Sequence, residues 1–404
     1  MGAWGVGRIS GRATEGPEEN AAVKVMLVDD EHHALHFLKR SLLETDPFLK
    51  ITLLTNGREA LDHLITDYHD VLVTDFPLPG LDGVGLLEQV QKLCPSTIRI
   101  MVDASCDDTV MFRVLNVAHQ VVQKPLDSQL LWTLICQTAT LLPLVSDDSI
   151  RQTLGRLTQL PPTPKISREL SHLLLEPHCT VDEVVKLIGS EPSMTAKLLH
   201  LANSAFFARR GKTIELRQAV VRLGFNTIRN LMLSVEIFEP GSIIAKVLGR
   251  ELESAQQSAL RIAQMGERLA RGTPIASDAF VAGLLADIGQ VVLLLARGHE
   301  WRECRSEAHV SGRPLHELEQ ERFGASHAEV GAYLLGIWGL PFSLVEAVAS
   351  HHRPDRLMAP LYSPAAVTAI AAALIESLPI DDDWLIAMKA KTRVDVVREN
   401  LTYE

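Results

Sequence analysis

From Val23 to about Leu142, short apolar runs alternate with segments whose apolar residues recur every three or four positions. KVMLV, ITLLT, DVLVTD, TIRIMV and QVVQ have the length and β-branched content of strands, while HHALHFLKRSLLE and GVGLLEQVQKL have helical spacing. Strands that alternate with helices imply parallel pairing through helical crossovers, an α/β doubly wound parallel sheet of flavodoxin-like type. After a polar joint at Ser146, Asp147 and Asp148 the strand signal stops, and from Ile150 to about Ser377 the spacing is helical, interrupted by Pro and Gly. The pattern therefore predicts a flexible extension (1–22), an α/β domain (23–142), a linker (143–154), an all-α domain (155–378) and a C-terminal tail (379–404). The two domains are expected to fold as separate units joined near Ser146 to Ser149.

Composition narrows the function classes. A chain of 404 residues exceeds one ordinary core, and 47% apolar with 22% charged residues is globular composition. A formal net charge of −11 disfavours a phosphate-backbone binder, so no nucleic-acid partner is expected. The five cysteines, Cys94, Cys106, Cys136, Cys179 and Cys304, never fall in a CxxC spacing, which suits a reducing cytoplasm. No apolar run is read as reaching the roughly 18 residues that span a bilayer, and MGAWGVGRISGRATEGPEEN lacks the apolar core of a signal peptide.

Candidate chemistry gathers where the strands of the first domain end. Strand one ends in Asp29 and Asp30, strand three in Asp75, and Lys124 precedes Pro125 at the end of the last strand. One aspartate at a strand end is ordinarily a turn or helix cap. Three carboxylates at one sheet edge repel unless a hard cation holds them, and Mg²⁺ is the natural choice. A carboxylate beside that cation can take up a phosphoryl group, with Lys124 as a point charge on it.

The segments VDDE, TDFPLPGLDG and HQVVQKPLD, within residues 22 to 142, resemble response-regulator receiver domains. The resemblance implies that Asp75 is the phosphoacceptor and that Asp30, Asp75 and the Pro77 carbonyl hold Mg²⁺. By the same likeness Asp29 assists through water, Lys124 senses the phosphate and Lys124-Pro125 is a cis peptide; the expected input is a histidine kinase, or else Mg²⁺ or a partner that the receiver senses. Two positions depart from that pattern. Asp103 stands where receivers carry Ser or Thr at the end of the fourth strand, and Val121 where they carry Tyr or Phe. A fourth carboxylate opposes a phosphoryl dianion that a hydroxyl would instead hydrogen-bond, weakening the switch. A shifted register, with Ser105 supplying the hydroxyl, is the alternative.

In the second domain, periodicity alone gives only a helical core. Its motifs LPPTPK, EPSMTAKLLHLANSAFF, AVVRLG, GLLADIGQVVL, HAEVGAYLLGIWGLP and HHRP resemble the HDOD (HD-related output) family from about Gly155 to Pro354, the helix after Pro364 completing the bundle. The related HD phosphohydrolases hold catalytic metals on a His, a His-Asp pair, further histidines and a late Asp. Here the His expected before Ser258 is Gln257, the pair is Ala286-Asp287, and an apolar residue in VTAIAAALIES replaces the late Asp. Asp287, His327, His351 and His352 remain as a partial metal set, although the plainer reading has Asp287 capping or pairing and the histidines packed. The charged stretch from Trp301 to Phe323 reads as a solvated face of two short helices broken at Gly312 and Pro314. The sequence thus predicts a non-enzymatic response regulator that acts on a downstream signalling protein. The alternative is a metal-dependent phosphohydrolase of cyclic dinucleotides or nucleotides under receiver control.

Overall fold

The computed structural model describes residues 23–103, 108–124, 126–157, 160, 169–170, 172–174, 176, 178–204, 207, 211–233, 243–357 and 362–401. Ser105 and Pro125, of the alternative register and the expected cis bond, lie outside the described residues.

Five parallel strands, β1 (Lys24–Val28), β2 (Lys50–Leu54), β3 (Val71–Asp75), β4 (Ile98–Asp103) and β5 (Gln120–Gln123), form a sheet of order β2-β1-β3-β4-β5. Helices α1 (His32–Thr45), α2 (Gly57–Thr66), α3 (Gly83–Leu93), α4 (Asp108–Val117) and α5 (Ser128–Leu141) connect and follow them. Crossover helices cover both faces of the central strands, so β1 and β3 are almost wholly buried and read as unbroken apolar runs. The register pairs Val28 with Thr74, Asp75 with Val102 and Asp103 with Gln123, which brings the strand ends carrying Asp29, Asp75, Asp103 and Lys124 to one edge. Gly83 lets α3 start against the end of β3: a Cβ there would lie 2.0 Å from the Asp75 carbonyl oxygen. Its N–H donates instead to the Phe76 carbonyl at 2.9 Å.

After α5 the described residues are mainly helical. They include α6 (Asp148–Arg156), α7 (Val181–Ile188), α8 (Pro192–Ala202), α9 (Leu216–Leu233), α10 (Ile243–Leu269), α11 (Ala276–Leu285), α12 (Ile288–Ser311), α13 (Leu315–Phe323), α14 (His327–Ile337), α15 (Phe342–Ser350), α16 (Pro364–Ile375), α17 (Asp382–Ala387) and α18 (Lys391–Leu401). Helices α10, α11 and α16 pack together, as do α12 with α14 and α14 with α15. Residues Ala276–Ser311 are by length and composition apolar enough to cross a membrane, contrary to the sequence reading, but they form the middle of this bundle and are mostly buried. The segment read as a tail supplies α17 and α18, whose Leu385, Met388, Val394 and Val397 pack with Met265 and Ile370.

The segment read as a linker also carries structure. Asp147 caps α6 by accepting from the Ile150 N–H at 2.9 Å, and its other oxygen pairs with Arg297 of α12 at 2.7 Å. Ile150 and Leu154 of α6 join a single buried apolar cluster that runs from the sheet into α12 and α14. Separate folding units were expected because the joint looks polar in sequence. Its polar groups are caps and ion pairs, while every fourth residue of α6 is apolar and faces inward.

Further bonds cross the joint. Arg99 of β4 is fully buried and donates to the carbonyls of Val117 (2.7 Å), Pro95 and Thr97 (3.3 Å each) and Gly155 of α6 (2.6 Å). Gln120 donates to the Ile337 carbonyl at 3.1 Å, and the Trp338 indole donates to Leu157 at 3.3 Å. Gly155 lies so close to the sheet domain that a Cβ would meet the Pro95 carbonyl oxygen at 1.7 Å.

Candidate functional sites

The first site is the acidic edge of the sheet. Lys124 Nζ sits 2.6 Å from Asp75 Oδ2 and 3.2 Å from Asp29 Oδ2, bridging two strand ends. Asp29 Oδ1 accepts from the Glu31 N–H at 2.8 Å, which fixes that carboxylate at the entry to α1. Burial pushes the Asp75 carboxyl above its usual range, against the opposing pull of the Lys124 hydrogen bond and charge. Partial burial disfavours the Lys124 ammonium, but its bonds to Asp75 and the Asp29 charge outweigh this and hold its pKa above the ordinary lysine value. Asp75 Oδ1 is buried with no hydrogen-bond partner among the described residues, and Asp29, Asp30 and Asp75 each offer an oxygen within 4.8 Å of the others. An all-oxygen donor set with an unsatisfied buried oxygen fits a hard divalent cation such as Mg²⁺. Pro77 is exposed on the loop after β3, and the backbone of Asp103 lies at the same edge as Lys124.

The second site lies within the helical bundle. Asp287 precedes α12, His327 opens α14, and His351 and His352 follow α15, so three helix ends converge. One ligand atom from each of these four residues lies within 4.8 Å of the others. His327 Nε2 is 3.3 Å from Asp287 Oδ1 and 3.0 Å from His352 Nε2. His351 Nδ1 donates to the Val348 carbonyl at 2.7 Å, which leaves its Nε2 as a lone pair 3.8 Å from Asp287 Oδ1. Both His351 Nε2 and Asp287 Oδ1 are buried without hydrogen-bond partners among the described residues.

Three residues that the sequence reading passed over complete this cluster. Glu319, in the stretch read as a solvated face, is fully buried; its Oε2 accepts from His327 Nδ1 at 2.5 Å and its Oε1 from the Trp301 indole at 2.9 Å. Gln257 is exposed, and it is Ser258 whose hydroxyl donates to Asp287 Oδ2 at 3.1 Å. Glu376, in the stretch where the late Asp was read as replaced by an apolar residue, stands 3.7 Å from His352 Nδ1 with its side chain about a third exposed. Desolvation, with the Asp287 charge, pushes the Glu376 carboxyl up to about 7.

Electrostatics set the protonation of the cluster. Burial opposes the His327 cation, but Glu319 and Asp287 outweigh it and raise its pKa well above the ordinary histidine value. Despite full burial, the Asp287 carboxyl is held below its usual range by the charge of His327, 3.3 Å away, and by the Ser258 hydroxyl. Burial and the His327 charge push His351 down to about 4, and burial pushes His352 well below its usual value. At neutral pH these shifts favour an imidazolium at His327, neutral imidazoles at His351 and His352, and a carboxylate at Asp287.

Residues 25–135 match the response regulator receiver domain family, and residues 160–354 match the HDOD domain family. An uncharacterized protein of Treponema pallidum (strain Nichols) is 27% identical over 203 residues, covering 49% of this chain and 38% of that protein. The DNA-binding transcriptional regulator NtrC of Klebsiella pneumoniae is 34% identical over 102 residues, covering 25% of this chain and 21% of that protein. The chain thus spans well under half the length of these curated relatives. Among solved structures, the MmoQ response regulator of Methylococcus capsulatus is similar at 23% identity, covering 57% of this chain and 98% of that one, with a TM-score of 0.43. An HDOD domain protein of Geobacter sulfurreducens is similar at 22% identity, covering 63% and 94%, with a TM-score of 0.38.

Proposed function

Because the chain joins a response-regulator receiver domain (residues 25–135) to an HDOD domain (residues 160–354), we propose that it is a two-component response regulator whose helical domain signals through protein contacts. The observation that carries this reading is the Lys124 bridge between Asp75 and Asp29 beside the unsatisfied Asp75 oxygen. Asp75 attacks the phosphorus of a phosphohistidine on a kinase, or of a small phosphodonor; an acyl phosphate forms and the donor leaves with its bonding electrons. Lys124, already hydrogen-bonded to Asp75, follows the transferred phosphoryl group as a point charge. Asp29, Asp30, Asp75 and the Pro77 carbonyl would hold Mg²⁺, which when bound neutralises charge on that group. Incubation with acetyl phosphate and Mg²⁺, followed by mass spectrometry, tests the reading. A phosphoryl adduct lost in Asp75→Asn supports it, and a Mg²⁺-independent adduct elsewhere overturns it.

The helical domain is read as non-hydrolytic. Ala286 and Ser258 offer no metal-binding imidazole, and the remaining ligands are all buried. A catalytic metal needs an open coordination position. The unpartnered Asp287 oxygen and His351 nitrogen favour a narrower second reading, in which Asp287, His327, His351 and His352 hold a transition metal in a closed, structural way. Glu319 on His327 and the Val348 carbonyl on His351 then orient the rings, as outer partners of metal-bound histidines do. The alternative, hydrolysis of cyclic dinucleotides, predicts Mn²⁺-dependent turnover that disappears in Asp287→Ala.

A further inference from the structure

At the amino-terminal end of the sheet, away from Asp75, the last turn of α2 and the approach to β3 bring together His63, Asp67 and His69. One ligand atom from each lies within 4.8 Å of the others. Asp67 is the C-terminal cap of α2, and its N–H donates to the His63 carbonyl at 2.8 Å, so helix geometry sets these two residues side by side. His69 follows two residues later and is 1% exposed.

Its Nδ1 lies 2.9 Å from the Asp67 carbonyl, which can only accept, so the proton sits on Nδ1. Nε2 therefore carries the lone pair, with the Thr52 hydroxyl 2.9 Å away. The Nδ1–H is anchored on a backbone carbonyl, as in many metal-bound histidines, and a cation would take the Nε2 lone pair that now accepts from the Thr52 hydroxyl. The His63 ring packs edge-on to it at a centroid distance of 5.4 Å, and His63 Nδ1 is closed off from solvent without a hydrogen-bond partner among the described residues. A cation shared with Asp67 and His69 would satisfy that nitrogen. Lys24 Nζ, 2.7 Å from Asp67 Oδ1, keeps the carboxylate ionised, and a carboxylate has lone pairs enough for both partners.

We propose that His63, Asp67 and His69 form a transition-metal site, distinct from the oxygen-only pocket at Asp75. Two imidazoles and one carboxylate suit Zn²⁺, Ni²⁺ or Cu²⁺ and disfavour Mg²⁺. The half-exposed Asp67 side chain leaves the remaining coordination to water. Tyr68, between two of the ligands, is within electrostatic reach of Asp148 and Arg151 on α6 and Tyr333 on α14, so this loop borders the joint between the domains. This inference does not rest on the response-regulator reading.

The test is a Zn²⁺ titration of the metal-stripped full chain by calorimetry, with Mg²⁺ in excess to occupy the Asp75 pocket. A His327→Gln variant removes the contribution of the Asp287 cluster. One Zn²⁺ equivalent should persist in His327→Gln and weaken by about 100-fold in His63→Ala and in Asp67→Asn. Substoichiometric Cu²⁺ should broaden the ring resonances of His63 and His69. If circular dichroism finds His63→Ala unfolded, Asp67→Asn, at the exposed edge, decides the matter. Wild-type Zn²⁺ stoichiometry and affinity in the folded ligand variants would overturn the proposal, as would the absence of any Zn²⁺ equivalent in His327→Gln.

Discussion

The guanidinium of Arg99, in the fourth strand of the sheet domain, donates to the Gly155 carbonyl on α6 at 2.6 Å. It also donates to the backbone carbonyls of Val117, Pro95 and Thr97. Arg99→Met would leave those carbonyls buried without their donor, at about 1 to 3 kcal/mol each where no relaxation helps. We expect a loss of about 3 kcal/mol or more in urea unfolding. Arg99→Lys should rescue little, because one ammonium cannot reproduce the planar fork.

Acid should loosen the same joint. Burial, with the Arg99 charge, holds His119 neutral well below its usual pKa, and burial with the Lys197 charge pushes His200 down to about 3. Their folded pKa values are depressed, so their stability contribution is complete above the unfolded value near 6.5. It is lost as pH falls toward the folded values. Each histidine then contributes up to about 1.4 kcal/mol per pH unit in that window. A thermal melting series from pH 7 to 4 should fall steeply, and a folded His200→Gln variant should fall less steeply.

Asp103→Thr should strengthen phosphoryl labelling. The backbone of Asp103 stands in register with Gln123, one residue before Lys124, at the edge where Asp75 would receive the phosphoryl group. A hydroxyl there can donate to the phosphoryl oxygens, whereas a carboxylate repels them by about 1 to 4 kcal/mol per close pair. Labelling by acetyl phosphate should rise several-fold in Asp103→Thr and vanish in Asp75→Asn. Unchanged labelling in Asp103→Thr would mean that this residue does not govern the pocket.

Metal binding by the bundle cluster should strengthen with pH. His327 carries a proton at neutral pH because Glu319 and Asp287 stabilise its cation, and a metal must displace that proton. In the His63→Ala background, Zn²⁺ affinity should therefore rise from pH 6 to 8. Glu319→Gln should make that rise shallower. Cyclic dinucleotides with Mn²⁺ should remain unhydrolysed across the same range.

The sheet was legible because its central strands are buried on both faces and so read as compact apolar runs, and its site because three aspartates and a lysine stand at strand ends. The bundle cluster was only half legible. Asp287 and the histidines stand in recognisable motifs, but Glu319 sits among surface charges and points inward only because α13 folds back onto α12 and α14. Ser258 and Gln257 are neighbours in sequence, and helix phase alone decides which one reaches Asp287. Arg99 was invisible for a similar reason: an arginine within a strand pattern announces nothing until the Gly155 carbonyl arrives from a distant helix.

Gly155 has a mechanical consequence. With no room for even a methyl group between α6 and the Pro95 carbonyl, the two halves meet at a close-packed seam that any hinge opening would have to break. If phosphorylation at Asp75 signals across this seam as proposed, a small shear is the expected motion, and the overall dimensions of the molecule, measured by small-angle scattering, should stay nearly constant between its resting and signalling states.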